Sequence, residues 1–489
     1  RNEISLQEAQ MRTFNNFIWR FAQTEGNYNF SSGSRGKGNL SSEANPYFLF
    51  PQIYNFRYNI FSSEWPVANR VIELYLQKKS ENGGWERQIN GISNNEKAVL
   101  LLEKRTFKEL LVDMELRNLQ NNIVGQEASR LFARAEINMG VEAFRDSLYS
   151  LLKRNTFLNI KFENMLDTLG EISRTDIRSL LGEWEKTTPL PFYSLGEPTL
   201  TKITNKGGEE FFVLKMLISN NSDYDGIIHM DIRKDGWWYQ PLEDPRAKTK
   251  IEMPAHTSKE FVSVWEDQIR NVEINTMVSG NLPNIISQDI NNVKQERNKI
   301  VKDSIYILPE SSFDLPGEII VDNEDSTLFI LSAPPIVGLL PKWLDEVEET
   351  PFKYSGISWW RPPLQWTATT NDRYYGKYIR SAFVIKSGDG SQTATWKVPV
   401  PEVGQYDLYY HVFKDDELRW NNNLQGEYHF KVKYGSEVED AYVNLRKANE
   451  GWEQLGSYYF DSDTIRVVLT DECKLRSVTA DAVKIVKRY

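Results

Sequence analysis

The feature that most constrains this chain is a change in hydrophobic period. Through about the first 186 residues apolar side chains recur at helical spacing, and from Thr199 onward they recur every second residue. The alternation is clearest in 319–489. Ala394-Thr395-Trp396-Lys397-Val398 leads into Tyr406-Asp407-Leu408-Tyr409-Tyr410-His411-Val412, and later come Tyr428-His429-Phe430-Lys431-Val432, Gly451-Trp452-Glu453-Gln454-Leu455 and Ile465-Arg466-Val467. β-branched and aromatic residues dominate these runs, and Gly, Asn and Asp lie between them. Such a pattern predicts strands with one buried and one wet face, hence a β-sandwich. On that phase Trp396, Tyr406, Leu408, Trp452, Leu455, Val467 and Val483 are expected inside.

With 489 residues the chain is too long for one core and predicts about two to four domains. A net charge of −10 argues against nucleic acid as the main partner, while leaving room for a local basic patch. The single cysteine, Cys473, allows no intrachain disulfide, which fits the cytoplasm and also disulfide-free envelope proteins. No run approaches about 18 consecutive apolar residues, so this chain contains no expected transmembrane segment. It begins at Arg1, which suggests a processed or excised piece with a signal or anchor upstream.

Helical patterns are expected at 2–23, 66–79, 97–105, 106–120, 125–138, 141–153, 161–170 and 174–186. Ser93-Asn94-Asn95-Glu96 reads as a capping box. Six strand patterns between Thr199 and Val278 make a unit of immunoglobulin-like size. The expected division is multidomain α + β: a helical lobe at 1–191, an immunoglobulin-like β-sandwich at 192–280, a polar linker at 281–318 and a jelly-roll sandwich at 319–489.

The last of these units resembles a known family. VDNED at 321–325, Tyr374-Tyr375-Gly376, ATWKVPVPEVGQYDLYYHV, GWEQLGSYYF and the closing ADAVKIV are similar to the C-terminal domain of golvesin and of bacterial xanthan lyases. The resemblance covers about a third of the chain. It implies a carbohydrate-binding-like jelly roll with a binding or packing role and no reaction of its own.

The helical half resembles a gluzincin, the aminopeptidase-N-like zinc peptidases, through Gly140–Arg145, Ile172–Ile177, Trp184 and Pro189-Leu190-Pro191. Its catalytic residues do not carry over. A gluzincin needs two histidines at i and i+4, an adjacent glutamate base and a downstream glutamate ligand. All four histidines (229, 256, 411 and 429) lie after residue 228. Pro51 and Asn55 stand where the histidines belong, Gln52 stands for the base, and Arg70 falls at the third ligand, with Glu73 the neighbouring carboxylate. The resemblance therefore implies a pseudopeptidase without zinc.

Other constellations are weaker. Asp322, Glu324 and Asp325 offer oxygens that would suit a structural calcium, or else form a solvated turn. Trp359, Trp360, Trp366 and Trp420, with Asn421 and Asp415, offer rings and polar groups for a sugar face, or else pack beneath loops. His411 and His429 lie in consecutive strand patterns and are candidates to face each other. The expected function is a non-catalytic extracytoplasmic bacterial protein, periplasmic or cell-surface, that binds a glycan or a protein partner as a scaffold. The alternatives are the C-terminal part of an envelope zinc aminopeptidase, or the soluble part of a transporter-associated membrane protein.

Overall fold

The structure is a computed structural model that describes residues 58–76, 84–155, 158–205, 207–234, 240–242, 244–290, 292–297, 301–310, 313, 317–332, 352–358, 361–414 and 426–488, together with Ser5, Gln7 and Met11. The architecture is α + β, with a helical lobe followed by two sandwiches.

In the lobe, helices Ala68–Leu76, Asn94–Lys104, Gln120–Met139, Val141–Arg154 and Phe162–Ser173 pack around one core. At its base Trp184 meets Trp65 edge-on at 5.0 Å and Phe107 at 4.9 Å. The helix starts follow local chemistry. Ser93 accepts from Glu96 N while Glu96 takes Ser93 N, and Thr106 and Glu109 repeat the arrangement. The 174–186 pattern is a 3-10 helix over Arg178–Glu185, entered through Arg174 in the left-handed region. A short strand, Tyr58–Phe61, pairs in parallel with Leu158–Lys161.

The middle sandwich has two sheets around Leu214, Met216, Ile218, Ile228, Met230 and Val272. One sheet centres on Gly226–Lys234 and the other on Glu210–Asn220 and Thr257–Trp265. The expected linker at 281–318 is corrected here. Ile285–Asp289 pairs with Ile269–Asn275, Val293–Arg297 lies parallel to Thr199–Thr204, and Ser304–Pro309 pairs with 257–265. These three strands occupy sheet edges, where half of each ladder faces solvent. That position tolerates the polar composition that reads as a linker.

The C-terminal unit is a sandwich. One sheet runs Glu318–Val321, Val483–Lys487, Gly404–Val412, Gly451–Phe460. The other runs Phe329–Ser332, Thr393–Pro399, Thr464–Thr470, Glu427–Tyr434, Glu437–Asn444. Between them lie Trp396, Tyr406, Leu408, Tyr410, Phe430, Val467 and Val483, all at most 1% exposed. Trp452 and Leu455 depart from the expected phase, since both are only half-buried. The register between 404–412 and 451–460 slips after Leu408: Leu408 faces Gly456, but Tyr409 faces Gln454, leaving Leu455 as the extra residue. A bulge of this kind inverts the inside–outside phase of what precedes it. Trp452 therefore points away from the core.

The three units meet at one junction. Ile92 of the lobe, Leu282 of the middle sandwich, and Tyr354 and Ala368 of the C-terminal unit form a small shared core. Arg380 N donates to Leu282 O at 2.6 Å, Leu282 N to Tyr378 O at 3.1 Å, and Thr370 Oγ1 to Gly91 O at 2.6 Å. Gly91 has φ +79°, and a Cβ there would sit 2.4 Å from Ser355 N. Only glycine allows this approach between backbones. Glu96, 1% exposed, closes the junction: its carboxylate takes Arg87 Nε at 3.0 Å, Ser93 N at 2.6 Å and Asn284 N at 2.9 Å.

Candidate functional site: a ring and cation face on the C-terminal sandwich

The alternation that buries Tyr406, Leu408, Tyr410 and Val412 turns Asp407, Tyr409 and His411 to the other face of their strand. Register places His411 opposite Trp452, and Tyr409 opposite both Gln454 and Lys484. The result is a compact half-buried surface. The His411 and Trp452 rings meet edge-on at 5.2 Å, and Tyr375 covers both, 5.0 Å from Trp452 and 5.8 Å from His411. Lys484 Nζ lies 4.9 Å from the Trp452 ring centre and 5.4 Å from that of Tyr409, and pairs with Glu318 at 3.0 Å. Beside them the guanidinium of Arg373 lies over Phe413 at 4.8 Å and pairs with Glu450.

A buried carboxylate fixes this face from beneath. Asp481 is fully buried, takes His411 Nδ1 at 2.8 Å and accepts Tyr375 N at 3.1 Å. Its backbone oxygen accepts Trp396 Nε1 at 3.2 Å. Burial pushes the Asp481 carboxyl above the usual range, with His411, the Tyr375 N–H and Arg380 pulling the other way. Asp481 thus orients the imidazole and the 375 backbone, leaving rings and Lys484 to face outward.

The expected residues fall as follows. Trp359, Trp360, Trp420, Asn421 and Asp415 lie outside the described residues, as do Pro51, Gln52 and Asn55. Trp366 is half-buried and packs against the C-terminal core. Arg70 and Glu73 hold each other in an ion pair, and Arg70 also donates to Asn121 Oδ1 at 2.8 Å. Asp322, Glu324 and Asp325 serve different partners. Asp325 accepts Asp322 N at 2.9 Å, whereas Glu324 takes Tyr354 OH at 3.0 Å and Lys353 Nζ at 2.6 Å. Desolvation, followed by repulsion from Asp481, holds the Asp322 carboxyl well above its ordinary range. Among the described residues no group of three or more His, Cys, Asp or Glu side chains is arranged to hold a metal ion. His411 and His429 do not face each other, because their strands belong to opposite sheets. Tyr375, Tyr409, Trp452 and Lys484 are the residues that sequence reasoning missed. The usable signal was the aromatic pair Tyr374-Tyr375 and the Gly456 beside the bulge.

Residues 362–487 match the family model of the golvesin C-terminal domain, which contains this face apart from Glu318. No curated protein matches the chain. Solved structures with similarity include a β-glucuronidase of Bacteroides uniformis, at 10% identity over 65% of this chain and 32% of that one, with a TM-score of 0.18. Another is an exo-β-1,3-galactanase of Phanerochaete chrysosporium with galactose, at 8% identity over 60% of this chain and 57% of that one, TM-score 0.22. The chain thus spans about a third of the length of the β-glucuronidase. Overlays of this quality carry no functional assignment. Among the described residues no helix is long and apolar enough to cross a membrane.

Proposed function

We propose that this chain is a non-catalytic bacterial scaffold of the cell envelope, exposed in the periplasm or at the surface, whose C-terminal sandwich binds a glycan. The observation that carries the reading is the outward Trp452, set beside Tyr375 and Tyr409 with Lys484 between rings. A sugar presents a C–H face that an aromatic ring covers at little conformational cost, and Gln454, Asp407 and Lys484 on the same strands supply orienting polar groups. The match to the golvesin C-terminal domain supports the same reading. The helical lobe and middle sandwich, tied together at Glu96 and Leu282, act as a rigid stalk and docking surface.

The lobe is read as a degenerate peptidase fold in which Arg70, paired with Glu73, replaces a metal ligand. A fixed guanidinium at that place would repel zinc. Stoichiometric zinc together with chelator-sensitive peptide hydrolysis would overturn this part of the reading.

The test of the glycan reading is a microarray of bacterial and plant polysaccharides probed with the full chain. Binding to one glycan class, lost on Trp452→Ala with the fold retained by circular dichroism, supports the proposal. An empty array, or one on which no bound glycan depends on Trp452, overturns it.

A further inference from the structure

The opposite sheet of the C-terminal sandwich carries a different surface. Antiparallel register sets Lys397 directly across from Arg466, and Arg466 directly across from Lys433. Three cations therefore stand side by side on three neighbouring strands. They face away from the core, since the flanking Trp396, Val398, Ile465, Val467 and Val432 are all buried. Lys431 follows two residues along the same face, across from Val468 and Asp440. Neighbouring strands lie ~4.8 Å apart, and like charges placed directly opposite destabilise a sheet.

The chain does not neutralise this row itself. Among the described residues none of the four cations is in an ion pair, whereas Lys484 and Lys487 of the other sheet and the adjoining Arg488 each hold a carboxylate. Asp440, the carboxylate that faces Lys431, is engaged by His429 Nε2 at 2.8 Å. The row is also no by-product of a basic surface, because the whole chain carries a net charge of −10. On the same face Tyr442 is 56% exposed and stacks on His429 with ring centres 5.0 Å apart.

We propose that this face binds an acidic polysaccharide, a linear sugar polymer bearing carboxylate or sulfate groups. A straight cation row spaced by the strand separation complements a polymer with its anions strung along one line, and Tyr442 offers a ring face for the adjoining sugar. Nucleic acid is disfavoured by charge density. A phosphate backbone calls for a broad basic surface, whereas this row is only one residue deep on each strand and has Asp440 at its border, across from Lys431. The surface is independent of the Trp452 face, which lies on the other sheet.

The experiment uses the full chain in affinity electrophoresis and calorimetry with polygalacturonate, dextran sulfate, neutral dextran and duplex DNA. Expected is binding to polygalacturonate, dextran sulfate or both, with none to dextran, and weakening as salt rises. The triple variant Lys397→Gln/Lys433→Gln/Arg466→Gln loses at least about tenfold in affinity. Its unfolding temperature stays equal to or above that of the parent, because repulsion is removed. The single reversal Lys433→Glu, which gives Arg466 a partner, weakens binding while raising stability. Trp452→Ala leaves polyanion binding intact, which separates this proposal from the ring-face reading. Equal retention by neutral dextran, tighter binding to DNA than to either polyanion, unchanged affinity in the triple variant, or no binding at all would overturn it.

Discussion

Replacing Glu96 by alanine should cost far more than a surface carboxylate would. Its side chain is fully buried and serves three donors at once. Loss of the capping bond to Ser93 N alone costs about 1 kcal/mol. The Asn284 N–H would be left buried and unsatisfied, at about 1–3 kcal/mol. Arg87, only 10% exposed, would lose its carboxylate partner, and stripping one member from a buried pair costs about 3–5 kcal/mol. The three losses share one side chain and are not additive, so the expected total is about 3–5 kcal/mol. Glu96→Gln should cost less but still about 2–3 kcal/mol, since an amide NH2 cannot accept from Ser93 N or charge-balance Arg87. The assay is chemical denaturation followed by tryptophan fluorescence, with limited proteolysis as a second readout. Because Asn284 belongs to the middle sandwich, Glu96→Ala should also split one cooperative transition into two and expose the 281–284 segment to protease. A loss below about 1 kcal/mol with a single unchanged transition would refute the account of Glu96 as the junction's clasp.

Other outcomes follow from the same geometry. Trp396→Ala should cost about 3–5 kcal/mol, while Trp452→Ala, half-buried and outward, should cost only about 1–2 kcal/mol; comparable losses in denaturant melts would mean that the bulge after Leu408 is wrongly placed. Gly91→Ala must hold a left-handed backbone and push against Ser355 N, so thermal melts should show a loss of about 1–3 kcal/mol at least; an unchanged midpoint would contradict the close approach. Asp322 has a raised folded-state pKa, so it carries no penalty below the ordinary carboxylate range and a growing one as pH climbs from there through its raised value. Asp322→Asn should therefore stabilise the protein at neutral pH and make little difference near pH 3–4. Melts showing the reverse dependence would remove burial as the cause.

The sequence revealed what rests on local chemistry. The Ser93–Glu96 capping box depends on four consecutive residues, and it forms as expected. The strands Thr199–Thr204 and Lys248–Met253 coincide with their alternating runs, and the buried phase of Trp396, Tyr406 and Val467 follows directly from period two. What stayed hidden depends on partners far along the chain. The second role of Glu96 is a bond to a residue 188 positions away, which no window of sequence contains. The bulge at Leu455 costs one residue of register and inverts Trp452, so the residue expected in the core became part of the candidate site. The three edge strands after Leu282 look like a linker because an edge needs little apolar surface. The cation row is invisible for a similar reason. Lys397, Lys433 and Arg466 are scattered in sequence and meet only through strand order.

The central claim is that the C-terminal sandwich takes a glycan on the face built by Tyr375, Tyr409, His411, Trp452 and Lys484. The most direct test is NMR of the indole N–H groups in the full chain, labelled at tryptophan and titrated with the glycan selected on the array. The account predicts that the Trp452 indole shifts and saturates with the ligand, while those of the buried Trp396 and Trp184 stay in place. A titration in which bound glycan leaves the Trp452 signal unmoved and perturbs only tryptophans elsewhere would contradict it.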